Sequence, residues 1–167
     1  DGEADRYIFG FEESYGYLSG SFVRDKDAVN ASLLICEMFV WYKSQGKTLA
    51  DALEALYAQY GFFEAKLLSF TFEGSAGFAH MTELLDSLRV SPPEELAGEA
   101  VRQVIDYDRD ETGLPRSNVL RFIFEVVVRP SGTEPKLKIY LTAARESREK
   151  SRAMLNLLEW QLTDWAK

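Results

Sequence analysis

One cysteine, Cys36, and one histidine, His80, are all that the 167 residues contain of either type. A single cysteine excludes an intrachain disulfide framework and a cysteine-based zinc site. His80 has no serine or cysteine partner in a recognisable motif, and no nucleophile motif occurs elsewhere in the chain. Positive charge is scarce as well: 19 Lys and Arg stand against 27 Asp and Glu, a net charge of −8. That balance argues against nucleic-acid binding, which draws its affinity from counterion release at a basic surface. No apolar run approaches the ~18 residues of a membrane span, so a soluble, cytoplasmic protein with no membrane partner is expected. Low-complexity tracts and internal repeats are missing too. What remains is an aromatic-rich chain, 46% hydrophobic, sized for one medium domain or one and a half small ones.

Two halves of different character follow from the patterning. Tyr7-Ile8-Phe9-Gly10-Phe11 reads as a short strand delivering the loop Glu12-Glu13-Ser14 from its C-terminal end, the usual place for a site in an open α/β sheet. Apolar residues from Asp27 to Lys43 recur at helical spacing, with Asp27 as N-cap and Cys36 as a small buried hydrophobe. Phe39, Trp41 and Tyr42 at this spacing read as core and interface packing. Thr48 caps a second helix whose buried stripe is Leu49, Ala52, Leu53, Leu56 and Tyr60, with Gly61 ending it. Beyond Gly61 come a strand over 62–72, a helix near 78–88 and a Pro92-Pro93 linker. Strands over 101–107, 119–124, 126–129 and 137–142 follow, and an amphipathic helix over 147–165 closes the chain. Mixed strands with helices set on one side predict an α+β domain.

Although the chain is acidic, its most informative stretch is basic: Arg129-Pro130-Ser131-Gly132-Thr133-Glu134-Pro135-Lys136, after the apolar run Val126-Val127-Val128. An arginine fork, two hydroxyls and a glycine amide at one strand end can converge on a tetrahedral anion. Arg129 can pair bidentately, as a lysine could not. Pro130 biases Arg129 toward an extended conformation, and Gly132 lets the backbone come close to a ligand. Lys136 and Lys138 alternate along the next strand, adding local positive charge. The reading is a phosphate site.

This octapeptide resembles the phosphate-binding loop of the α-D-phosphohexomutases, the phosphoglucomutase and phosphomannomutase family. Gly10-Phe11-Glu12-Glu13-Ser14-Tyr15-Gly16-Tyr17 is similar to the family's sugar-recognition loop, and Arg24-Asp25-Lys26-Asp27 at a helix start also fits. The resemblance implies the end of a third, α/β domain over residues 1–60. It also implies a fourth, C-terminal domain over 61–167 with a TATA-binding-protein-like fold, a sheet with helices on one face. Glu12, Glu13 and Ser14 would hold sugar hydroxyls. Arg129, Ser131, Gly132, Thr133 and Lys138 would grip the non-transferred phosphate, with Lys26 and Arg24 as further substrate contacts.

The implied whole enzyme interconverts hexose 1-phosphate and hexose 6-phosphate through a phosphoserine and a bisphosphorylated intermediate. Glucose 1,6-bisphosphate would be that intermediate and activator. The phosphoserine and the Mg2+ ligands would lie outside this chain, which would need the missing N-terminal domains of the same protein and be inactive alone. A non-catalytic sugar-phosphate-binding module and a phosphopentomutase of the same superfamily remain alternatives.

Three features read as false leads or departures. Asp1-Gly2-Glu3-Ala4-Asp5-Arg6 resembles the family's magnesium loop, but that loop lies in another domain and has aspartate at its middle position, so no metal site is expected here. Asp106-Tyr107-Asp108-Arg109-Asp110 alternates like an EF-hand, yet Glu111 replaces the required glycine and Ser117 the twelfth-position glutamate, leaving a solvated turn. Phe122-Ile123-Phe124-Glu125 runs into Val126 without turn-forming residues, and a turn dropped between Glu125 and Val126 is expected.

Overall fold

A computed structural model describes residues 6–12, 15–109, 112–123 and 126–166. The chain divides into two compact units, Asp1–Leu56 and Tyr57–Lys167.

The first unit opens with a hairpin of β1 (Gly10–Glu12) and β2 (Gly16–Leu18), paired antiparallel with Glu12 opposite Gly16. The register leaves residues 13–15 for the connection, and Tyr15 takes φ +65°, the left-handed conformation that three-residue hairpin loops commonly require. The strand expected from Tyr7 starts only at Gly10, and its partner is β2 rather than a parallel neighbour. Tyr7 instead donates its hydroxyl to the carbonyl of Leu18, 2.9 Å away, clamping the open end of the hairpin.

Helix α1 (Ala28–Ser44) begins where Asp27 accepts from the amides of Val29 and Asn30, both at 3.0 Å. Helix α2 (Leu49–Tyr60) starts in a reciprocal cap. Thr48 Oγ1 accepts from Asp51 N at 3.1 Å, and Asp51 Oδ2 accepts from Thr48 N at 2.8 Å. Burial departs from expectation in both helices. Cys36 is exposed, Trp41 and Phe39 are exposed, and α1 buries only Ala31. No residue of α2 is buried, and Leu53, Leu56 and Tyr60 stand in the open. The cause is composition: α1 is apolar on nearly every side, the signature of a helix made to be covered by further layers.

The second unit contains a five-stranded antiparallel sheet in the order β3-β9-β8-β7-β6. Its strands are β3 (Phe62–Thr71), β6 (Val104–Asp106), β7 (Leu120–Phe122), β8 (Val126–Pro130) and β9 (Lys136–Arg145). A two-stranded ribbon of β4 (Glu95–Leu96) and β5 (Glu99–Ala100) follows the Pro92-Pro93 segment; it turns through Ala97 and Gly98, both with positive φ.

Period-2 alternation sorts the sheet into two faces. Leu120, Phe122, Val126, Val128, Leu137, Ile139, Leu141 and Ala143 are fully buried on one face. They pack with Met81, Leu85 and Leu88 of α3 (Gly74–Val90) and with Leu155, Leu158 and Leu162 of α4 (Arg148–Thr163). Helices on one side of an antiparallel sheet make the domain α+β, as its alternating strands and closing helix predict. Phe70, Leu84 and Trp165 pack partly buried at the edge of that core.

Strand 101–107 proves to be three residues long, because its first half pairs irregularly: Arg102 N donates to the Ile123 carbonyl and Val101 N to that of Glu94. The acidic turn after it is structural. Asp106 is buried, ion-paired with Arg89 at 3.3 Å and Arg109 at 3.4 Å, and accepts from Asp108 N at 3.1 Å. His80 lies on α3 with its ring 5.7 Å from that of Phe72. β7 pairs with β8 so that Phe122 opposes Val126. The turn expected to be missing at that junction falls on residues 124 and 125, outside the described residues. No helix among the described residues is long and apolar enough to cross a membrane.

Candidate functional site

Two loops carry the residues singled out in the sequence, one on each unit.

On the second unit, the loop between β8 and β9 is short and tightly bonded. Ser131 N donates to the Lys136 carbonyl at 2.7 Å, and Lys136 N to that of Glu134 at 2.7 Å. Phe72 N donates to the Pro135 carbonyl at 2.8 Å, tying the loop to the end of β3. The amide of Ser131 is therefore committed to the backbone. Those of Gly132 and Thr133, with the Ser131 and Thr133 hydroxyls, make no hydrogen bond to the described residues and remain as spare donors. A side chain at Gly132 would meet no protein atom within 4 Å, so packing does not require the glycine; the space over it is open to a ligand.

Charge gathers at the strand ends. Arg129 and Lys138 are directly opposed across β8 and β9, on the face away from the helices. Like charges opposed across a sheet repel, and an anion between them removes that cost. Arg129 Nη2 donates to the Tyr140 hydroxyl at 2.6 Å, with the guanidinium carbon 5.3 Å from the centre of that ring. Lys136 instead turns to Glu134, 2.7 Å away, and this hydrogen bond holds the Glu134 carboxyl below its ordinary pKa, with the charge of Lys138 helping. Farther along the same open face lies a cavity of about 710 Å3, lined among others by Arg102, Arg121, Val127 and Tyr140.

On the first unit, the hairpin and the segment before α1 enclose a cavity of about 190 Å3, lined by Tyr7, Phe11, Glu12, Tyr17, Asp25 and Lys26 among others. Lys26 Nζ stands 2.9 Å from Asp25 and 3.4 Å from Glu12. The bond to Asp25 first, then that to Glu12, raises the Lys26 pKa, and Lys26 in turn depresses Asp25. The structure thus brings Lys26 to the Glu12 carboxylate. Arg24 is exposed and joins neither. Glu13 and Ser14 lie outside the described residues, as do Asp1 to Asp5. Among the described residues no cluster of three or more His, Cys, Asp or Glu could hold a metal ion.

Sequence reasoning overlooked two residues here, Tyr140 and Gly16. The alternation of Lys136, Lys138 and Tyr140 along one strand is enough to put Tyr140 on the face of the charged pair. Nothing in the sequence marks Gly16 as the place where the Lys26 stem passes, since that contact is made across the hairpin.

Comparison with known proteins is specific about the class of chain that carries these two loops. Residues 2–60 match the phosphoglucomutase/phosphomannomutase alpha/beta/alpha domain III, and residues 93–156 match the C-terminal domain of the same proteins. The chain belongs to the phosphoglucomutase/phosphomannomutase family. It is 44% identical over 149 residues to a phosphoglucomutase of Staphylococcus aureus (strain bovine RF122 / ET3-1), which covers 81% of this chain and 27% of that protein. A phosphoglucomutase of Staphylococcus haemolyticus (strain JCSC1435) is 41% identical over 154 residues, covering 84% and 28%. The chain thus spans little more than a quarter of the length of these relatives. Among solved structures, the exocytosis-sensitive phosphoprotein pp63/parafusin, a phosphoglucomutase from Paramecium in an open form, superimposes with a TM-score of 0.63. It shares 20% identity and covers 95% of this chain and 30% of its own, a likeness of fold.

Proposed function

We propose that the chain supplies the substrate-positioning loops of a phosphoglucomutase or phosphomannomutase, with the third domain ending at residue 60 and the fourth spanning 61–167. The complete enzyme interconverts hexose 1-phosphate and hexose 6-phosphate through a phosphoserine and a bisphosphorylated sugar, glucose 1,6-bisphosphate for a glucose substrate. Phosphoryl transfer depends mostly on positioning and charge stabilisation, and these are the tasks the two loops suit. Arg129 and Lys138 supply charge to the non-transferred phosphate, and Ser131, Gly132 and Thr133 supply neutral donors. Glu12, with Glu13 and Ser14, takes the sugar hydroxyls, and Lys26, 3.4 Å from Glu12, orients that carboxylate. Arg24 has no bond to that group and is the weakest member of the set.

The observation that carries this reading is the opposed pair Arg129 and Lys138 beside the unbonded Gly132 and Thr133 amides. Two like charges held face to face next to spare donors make a site for an anion. Among the described residues no three His, Cys, Asp or Glu side chains cluster, and no step through Mg2+ is assigned to them.

The test is mutase activity of the full-length protein on glucose 1-phosphate and mannose 1-phosphate. Arg129→Ala should weaken sugar-phosphate binding by about 1.5–3 kcal/mol, the range for hydrogen bonds to charged groups. Arg129→Lys should restore only part of it, because the fork is lost. An Arg129→Ala enzyme with unchanged KM and kcat would refute the assignment. Binding of sugar phosphate without turnover by the full-length protein would favour a non-catalytic module, and turnover of pentose phosphates alone a phosphopentomutase.

A further inference from the structure

Tyr140 sits beside the charged pair and has no part in the reading above. It opposes Val127 on β8, while Arg129, two residues on, opposes Lys138. Tyr140 and Arg129 are therefore diagonal neighbours on the open face of the sheet, within reach of an aromatic side chain. The contact has two components, the 2.6 Å hydrogen bond from Nη2 to the phenol oxygen and the guanidinium poised over the ring at 5.3 Å.

We propose that Tyr140 is a positioning residue for the phosphate grip, holding the Arg129 guanidinium in place before the ligand arrives. This rests on the reading of the β8–β9 loop as a phosphate site. An arginine in solvent loses rotamer entropy when it is fixed on a ligand. Here an opposing force makes the problem worse: Lys138, directly across the ladder, repels the guanidinium away from the place where both charges must act. The half-buried tyrosine ring, with only two rotatable angles, counters that repulsion through its π face and its oxygen. It does so at little cost in donors. A guanidinium has five N–H groups, and Tyr140 takes one of those on Nη2, so a parallel pair of donors along another edge stays available to a phosphate. Because the phenol oxygen accepts this bond, its own proton points elsewhere and does not compete for the same edge.

The experiment uses the full-length enzyme with hexose 1-phosphate as probe, in the variants Tyr140→Phe and Tyr140→Leu, each with Arg129 and with Arg129→Ala. Tyr140→Phe keeps the ring and loses the oxygen; KM should rise about 2- to 12-fold, less than the full worth of a charge-assisted hydrogen bond because the ring still holds the guanidinium. Its kcat should change little, since binding common to ground and transition states is what is lost. Tyr140→Leu should raise KM further. In the Arg129→Ala background neither change should add anything, because a residue acting through Arg129 has nothing left to position. The melting temperature of Tyr140→Phe should fall by no more than a few degrees, the share of one hydrogen bond in the fold.

An unchanged KM in Tyr140→Phe would overturn the inference. So would an equal KM rise with and without Arg129, which would make Tyr140 an independent contact. If Tyr140→Leu fails to fold, Tyr140→Phe alone decides. An Arg129→Ala enzyme with Tyr140 intact that turns over normally would bring down the phosphate reading itself, a result distinct from a failure confined to Tyr140.

Discussion

Gly16 and Lys26 occupy the same space: a Cβ on Gly16 would stand 2.2 Å from Lys26 Cδ and 2.6 Å from its Cγ. The lysine stem crosses the hairpin over the bare backbone of Gly16, and its ammonium thereby reaches Glu12. Gly16→Ala should push the stem aside and break that approach. The Lys26 ammonium, now raised by Asp25 and Glu12, should titrate closer to its ordinary 10.5. In the full-length enzyme the KM for hexose phosphate should rise, because Glu12 loses the group that orients it. An alanine variant with the Lys26 titration unchanged would show that the stem has another route.

Ser151 carries a different kind of weight. It is fully buried at the start of α4, donates to the Phe62 carbonyl at 2.5 Å and accepts from Arg145 N at 3.1 Å. One hydroxyl thus satisfies backbone groups at the ends of both β3 and β9. Ser151→Ala removes the oxygen and with it both hydrogen bonds, a loss of about 1–3 kcal/mol for the two together at the usual net worth of each. Urea denaturation should show a lower midpoint with an unchanged slope. A loss well under 1 kcal/mol would mean that water replaces the hydroxyl.

Alternation was the legible part of this fold. Leu137, Ile139 and Leu141 announce a half-buried strand, and all three are buried. The place of the Arg129–Lys136 segment was legible too: it joins two alternating strands, and the structure puts it between β8 and β9. The exposure of Cys36, Leu53 and Leu56 was not legible, because helical periodicity says which residues want a partner and not whether the partner lies within the same residues. Nor was the buried role of Asp106. An alternating acidic turn reads as solvated until Arg89, seventeen residues earlier on α3, is seen to close on it at 3.3 Å. Long-range pairings of this sort leave no local pattern.

Gly77 is another position whose reason is tertiary. On α3 it lies against the end of β3, and a Cβ there would stand 2.6 Å from the Phe72 carbonyl carbon and 3.0 Å from its oxygen. Two effects compete in Gly77→Ala. Helix propensity favours alanine by about 1 kcal/mol, whereas forcing atoms into a packed contact costs about 1–3 kcal/mol, at the upper end where backbone must shift. The clash is with backbone, so the net change should be destabilising. A melting temperature above wild type would show that α3 can slide away freely.

Glu134 gives the β8–β9 loop a dependence on pH whose sign follows from its neighbours. The hydrogen bond from Lys136, then the charges of Lys136 and Lys138, lower its pKa from the ordinary 4.5. A carboxyl with a depressed folded-state pKa contributes stability above its unfolded value and loses it as pH falls through the folded one. The Glu134–Lys136 contact should therefore be complete above about pH 4.5 and vanish only in more acid solution. Carbon-detected NMR of the Glu134 carboxyl should give a midpoint below 4.5, and Lys136→Met should move it back toward that value. Freed from Glu134, Lys136 becomes a third cation near Arg129 and Lys138, so Glu134→Gln should tighten the binding of inorganic phosphate to the full-length protein at neutral pH. If Glu134→Gln weakens phosphate binding instead, the carboxylate acts chiefly by holding the loop in shape, and the ordering of Lys136 outweighs its charge.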